Sequence, residues 1–189
     1  MAIAVTVLIV VVCLVLLVGM AFAYLRTGVP TIASSKVAQS QVATLFREAG
    51  ARRIYELGSG TGGWVLRLAR EVPAARVTGI EISPLPFLYA QAWRLSQPRE
   101  VRARVNFAWA NVKHVDLRDA DAVAFYLMPG ANERLKPKLL AELKPGTTVA
   151  TIAFSMHGWQ TAQVLVAPTF SKTRTYVYRM PPTLGPTQP

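Results

Sequence analysis

The stretch from Arg53 to Val65 limits this chain more than any other. A short apolar run (Ile54, Tyr55, Leu57) breaks into glycines at Gly58, Gly60 and Gly62, and a helical pattern follows at Trp64, Leu66, Leu68 and Ala69. A strand that turns through glycines into a helix N-terminus is a ligand-binding construction. The glycines let the backbone turn sharply and let a ligand approach where a side chain would collide.

Two cofactor classes use such a turn. Gly58-Ser59-Gly60-Thr61-Gly62-Gly63 satisfies the dinucleotide pattern, and Glu81 stands ~20 residues on, where a ribose-binding acid is expected. The same residues satisfy Glu56-x-Gly58-x-Gly60-x-Gly62, which resembles the first motif of class I S-adenosylmethionine-dependent methyltransferases. Glu56 separates the two. A carboxylate at the strand exit repels a pyrophosphate and attracts an ammonium beside a sulfonium, so the cationic S-adenosylmethionine fits better. Glu81 ends the next apolar strand, Arg76 to Glu81, and can accept from both ribose hydroxyls of either cofactor.

The chain has 189 residues, 52% of them hydrophobic, and a formal net charge of +11. Its first 25 residues carry no charged side chain. The remainder suffices for one domain with a real core and is too short for two of ordinary size. The single cysteine, Cys13, excludes an intrachain disulfide, and His114 and His157 lack metal-ligand spacing, so no metal site is expected.

Residues 2–25 form an apolar run that, at ~1.5 Å per residue, is long enough for a ~30 Å hydrocarbon core. It lacks the basic start of a cleaved signal and reads as a retained single-span anchor. Arg26 and Lys36 follow it, which predicts a single-pass membrane protein with its domain on the cytoplasmic side, its basic surface lying against anionic headgroups. Nucleic acid is not expected as a partner, because the basic residues are scattered.

Residues 26–34 read as a linker. A helix from Ser35 to Ala49 is marked by Val37, Ala38, Val42, Leu45 and Phe46 and stopped at Gly50. Pro84 and Pro86 introduce a helix with Leu85, Leu88, Ala92 and Leu95 expected inward. A third strand is expected at Arg104 to Trp109. Asn111 at its end serves either to accept from the adenine amine or to build a turn. A fourth strand is expected at Asp121 to Leu127, both faces covered, with Tyr126, Met128 and Pro129 bordering the pocket. Then come a helix interrupted or begun at Pro137, a strand from Thr148 to Phe154, and a hairpin of Ala162 to Ala167 with Thr173 to Met180. Residues 181–189 read as a disordered tail. Five alternating β/α units closed by a hairpin predict the α/β, Rossmann-like seven-strand class I methyltransferase fold over residues 35–180. A dehydrogenase needs a second domain, for which no residues remain.

The series Val29-Pro30-Thr31, Tyr55 to Gly62, Gly79-Ile80-Glu81, Tyr126-Leu127-Met128-Pro129 with Asn132, Glu142 to Gly146 and Phe154 to Trp159 resembles the small membrane-anchored lysine methyltransferases of the ATP synthase c-subunit and the adenine nucleotide translocase, and their bacterial relatives. The resemblance covers roughly residues 28–160 and implies methylation of lysine in an integral membrane protein. Glu56, Thr61, Gly63 and Asn111 depart from the family pattern. The cofactor set is then expected to be Thr31, Glu56, Gly58, Ser59, Gly60, Gly62, Glu81, Ile82 and Asn111. The acceptor set is Tyr126, Met128, Pro129 and Asn132, with Tyr126 positioning the amine; no residue stands out as a general base. Two other functions stay open: a methyltransferase for a lipid-phase small molecule, and a cofactor-binding membrane partner without catalysis.

Overall fold

In this computed structural model the described residues are 2–7, 10, 11, 14, 35–170 and 172–182. Residues 2–7, 10, 11 and 14 are helical and belong to a separate unit. Among the described residues no helix is long and apolar enough to cross a membrane, which overturns the expected single-pass placement with a transmembrane helix over 2–25. The rest of that run, the expected linker 26–34 with Thr31, and the tail from residue 183 lie outside the described residues.

The second unit is built on β1 (Arg53–Leu57), β2 (Arg76–Glu81), β3 (Val105–Trp109), β4 (Ala122–Phe125), β5 (Thr148–Ile152), β6 (Gln163–Val166) and β7 (Arg174–Arg179). They form one sheet in the order β3-β2-β1-β4-β5-β7-β6. The first five are parallel, and β7 runs antiparallel between β5 and β6. Helices are α1 (Lys36–Glu48), α2 (Gly63–Glu71), α3 (Pro84–Leu95), the short α4 (Arg99–Arg102) and α5 (Pro129–Glu142). This is the seven-strand, Rossmann-like methyltransferase fold. The strand order reverses between β1 and β4, and an open α/β sheet takes its ligand beyond the carboxyl ends of the strands at such a point.

Side chains alternate along a strand, so the two sheet faces bury different residues. Ile54, Val77, Ala122 and Ala150 pack with Val42 and Phe46 of α1 and Leu66 of α2. Leu57, Val123, Phe125 and Val149 pack with Leu135 and Leu139 of α5 and with Leu117, Met156 and Trp159 from loops. β4 and β5 are buried throughout, β4 as its continuous apolar run predicts.

Three expectations need correction. α3 is inverted: Leu85, Leu88, Ala92 and Leu95 face outward, and the fully buried residue of that helix is Ala90. The inward side lies against the glycine turn, where a Cβ on Gly62 would come 2.9 Å from the Ala90 Cβ, so no leucine fits there. α5 neither begins nor breaks at Pro137; it starts at Pro129, whose fixed φ suits a first helical position, and continues through Pro137. β4 ends at Phe125 and β5 at Ile152, short of Leu127 and Phe154. The chain leaves the sheet there because Pro129 opens a helix and Ala153 takes a positive φ of 67°.

Candidate active site

Alternation along β1 puts Glu56 on the same face as Ile54, beneath the start of α2. Its neighbours across the sheet are Gly79 and Ala124, which leave room for a long carboxylate. Glu56 is buried, and its Oε2 has no hydrogen-bond partner. Burial pushes its carboxyl well above the usual range; the Val65 backbone N–H opposes that, and the nearby Glu81 charge adds to it. A buried carboxylate oxygen without a partner is costly unless a ligand supplies one.

The turn after β1 is held by the neighbouring strand. Gly58 and Ser59 donate their N–H groups to the Ile80 carbonyl at 2.9 and 3.0 Å. Gly58, Gly60 and Gly62 all have positive φ, at 78°, 52° and 82°. At Gly62 the space also forbids a side chain, since a Cβ would lie 2.5 Å from the Phe107 ring. The Ser59 hydroxyl is buried and without a partner, like the Trp64 indole N–H that follows the turn.

Glu81 does more than stand at a strand end. Its Oε2 accepts the Gly60 N–H at 2.7 Å and its Oε1 accepts the Ser83 N–H at 2.7 Å. The carboxylate therefore straps the glycine turn to the loop after β2, and each oxygen keeps a second lone pair for a ligand hydroxyl. Ile82 beside it is exposed, and its carbonyl accepts the Trp109 indole N–H at 3.0 Å, while Trp109 stacks on Phe87. Trp109, absent from the expected set, thus joins the ends of β2 and β3. Asn111 builds a turn: its Oδ1 accepts the Lys113 N–H at 3.0 Å and caps a short 3-10 segment.

On the other side of the switch point, Tyr126 follows β4 and lies nearly parallel to the Phe154 ring, at 10° and 6.3 Å between centroids. Met128 is partly exposed at the cap of α5, and Pro129 opens that helix. Asn132 is fully buried, so it faces the protein and not a passing substrate. Its Nδ2 donates to the Phe154 carbonyl at 3.5 Å, and its Oδ1 has no partner. An open cleft of about 420 Å³ adjoins this corner. A second cleft, of about 470 Å³, is lined by Tyr55, Asp119 and Lys144 at the opposite, N-terminal edge of the sheet, away from the glycine turn.

The expected residues therefore form two groups. Glu56, the glycine turn, Ser59, Glu81 and Ile82 gather at the ends of β1 and β2; Tyr126, Met128, Pro129 and the buried Asn132 gather beyond β4. The orphaned carboxylate oxygen and the glycine cradle suit a ligand that brings a positive charge and close backbone contact.

Residues 56–163 match the model of the ANTKMT methyltransferase domain. The chain belongs to this family. A protein-lysine N-methyltransferase of Saccharolobus islandicus (strain REY15A) is 33% identical over 112 residues, 59% of this chain and 68% of that protein. The adenine nucleotide translocase lysine N-methyltransferase of Mus musculus is 30% identical over 143 residues, 75% of this chain. The chain spans 60% of the mouse protein's length. Among solved structures, an RNA methyltransferase from Salinibacter ruber in complex with S-adenosyl-L-homocysteine superposes with a TM-score of 0.69 at 28% identity, covering 82% of this chain and 97% of that one. This family member is an S-adenosylmethionine-dependent methyltransferase.

Proposed function

We propose that this chain transfers the methyl group of S-adenosylmethionine to the side-chain amine of lysine in a protein. The carrying observation is the family match over residues 56–163 together with a protein-lysine N-methyltransferase relative of which the chain covers 68%. The methyltransferase domain is taken as residues 35–180.

The residues at the ends of β1 and β2 suit the cofactor. Glu56 Oε2 offers a buried acceptor to its ammonium, the glycine turn admits its backbone-like portion, and Glu81 keeps lone pairs for the ribose hydroxyls. Ser59 and Ile82 border the same corner. Asn111 is the weakest member of the set, since its Oδ1 already serves a turn. Thr31 enters through the resemblance alone.

When bound, S-adenosylmethionine supplies a methyl carbon on a sulfonium. That carbon would pass to the lone pair of the neutral lysine nitrogen, the carbon–sulfur bonding pair staying on the donor's sulfur and the amine proton leaving to solvent. A free lysine has a pKa near ~10.4, so the site must favour the neutral amine. The apolar rings of Tyr126 and Phe154 do this by withholding water from the ammonium. Tyr126 can also hold the methylated ammonium on its ring face. In-line alignment supplies much of the rate. The finer reading, an integral membrane protein as acceptor, rests on the resemblance and on the name of the mouse relative.

A second reading has one observation behind it: the Salinibacter ruber structure is titled an RNA methyltransferase, and this chain carries a net charge of +11. Methyl-labelled cofactor offered with protein, RNA and lipid fractions decides between them. Label recovered as methyl-lysine in protein supports the proposal. Label in RNA or in extracted lipid, or none in any fraction, overturns it.

A further inference from the structure

Ala153 is a non-glycine residue at φ 67°, and the Phe154 N–H reaches back to the Ile152 carbonyl at 2.9 Å. This is a three-residue turn of the rare, strained kind. Such a backbone costs on the order of 1–3 kcal/mol and persists only where its surroundings fix it. Three elements fix this one. The Thr151 hydroxyl donates to the Phe154 carbonyl at 2.6 Å, the Asn132 amide of α5 donates to the same oxygen at 3.5 Å, and the Ala153 N–H donates to Arg174 of β7 at 2.8 Å. The result is a fixed ring. Phe154 lies nearly parallel to Tyr126 and also lines the 420 Å³ cleft.

The cleft has a definite chemistry. Pro129, Ala153 and Phe154 give it apolar wall residues, and Glu133, Ser155, His157 and Tyr176 stand on it as well. Glu133 pairs with Lys136 at 2.6 Å through one oxygen and accepts the His157 N–H at 3.3 Å with the other, but the carboxylate side chain is 45% exposed and the lysine only 16%. Lys136 is turned inward and also donates to the His157 carbonyl. A ligand entering the cleft therefore meets the carboxylate first. An alkyl chain tipped with a cation suits this surface, and a phosphate does not. Neighbouring strands lie ~4.8 Å apart, so the end of β5 is about 10 Å from the glycine turn beyond β1, two strands away.

We propose that this cleft admits the acceptor's lysine side chain, with Phe154 as the wall along which its methylenes lie and Glu133 as the carboxylate that draws in its ammonium. The assignment rests on the lysine-transfer reading above and adds the path by which the amine reaches Tyr126. Asn132 is then a positioning residue, acting through the Phe154 carbonyl.

The test titrates the full chain, saturated with S-adenosylhomocysteine, with Nα-acetyl-lysine methylamide and with its norleucine counterpart, following backbone amide resonances. The lysine probe is expected to move the amides of Ala153 to His157 and of Glu133, and to bind about tenfold more tightly than norleucine. Phe154→Ala should weaken both probes about tenfold. Glu133→Gln, which removes the charge and keeps oxygen and amide groups at that position, should abolish the preference for lysine and leave norleucine binding unchanged. Both variants should hold S-adenosylhomocysteine within twofold of the parent. Shifts that map elsewhere, no binding, equal binding of the two probes, or loss of cofactor affinity in parallel overturn the assignment. Label on protein lysines without a response in the cleft sinks this inference alone; a response in the cleft without label on protein sinks the lysine-transfer reading.

Discussion

Glu56 combines a buried carboxyl, an unpartnered oxygen and a raised pKa. In the free protein the folded state holds this proton at pH values where an unfolded Glu56 has lost it. Stability from this group is therefore full below the ordinary value of 4.5 and falls as pH rises from there toward the raised folded value. Glu56→Gln should flatten that slope in denaturation curves measured across pH. A cation beside the carboxylate favours the ionised form, so cofactor binding should release a proton and tighten as pH rises, with the proton count read by calorimetry in buffers of different ionisation enthalpy. The same substitution should cost tenfold or more in cofactor affinity. Gly62 is the other sensitive position. Gly62→Ala forces a Cβ to within 2.5 Å of Phe107 at a φ of 82°, and overpacking with backbone strain should cost about 2–4 kcal/mol in chemical denaturation. Both positions were legible in the sequence because a glycine or an acid at a strand exit has few uses. The strain at Ala153 was not, since an alanine gives no sign of a positive φ.

At the scale of elements, periodicity located the helices and strands but could not tell which side of α3 meets the sheet. Leu85, Leu88, Ala92 and Leu95 recur at helical spacing, yet so do Phe87, Ala90, Arg94 and Gln97 on the opposite side. Crowding decided the matter: Ala90 lies so close to the turn that a Cβ on Gly62 would come 2.9 Å from its own. Leu88→Lys should accordingly stay within about 0.5 kcal/mol of the parent in stability. Ala90→Leu should cost about 1–3 kcal/mol. The reverse result, measured by thermal or urea unfolding, would restore the inward face expected from the leucines. The helix ends followed local chemistry more faithfully, with Gly50 at φ 69° just beyond α1 and prolines opening α3 and α5. Asn111 became a turn residue because its side chain lies two residues before a free backbone N–H, that of Lys113.

For the molecule as a whole, the seven-strand order and the cofactor class followed from one strand–glycine–helix stretch and the alternation after it. The proposed acceptor side was read only as a neighbourhood, because residues after β4 and β5 meet through tertiary packing with no spacing rule. S-adenosylhomocysteine at a hundred times its Kd should raise the unfolding free energy by about 2.7 kcal/mol if it binds only the folded chain. A thermal-shift titration checks this, and an NAD(H) titration should leave the midpoint unmoved.

The reversal of strand order between β1 and β4 has a consequence for how such a protein can change. In the proposed reading, the residues for the methyl donor are anchored on β1 and β2, and those for its recipient hang from β4, β5 and β7. Substitutions in the second group can retarget the enzyme while the first group stays as it is. Proteins named for RNA and for lysine can therefore share one scaffold, and transplanting residues 153–159 from a relative should alter the choice of recipient and spare the donor's affinity.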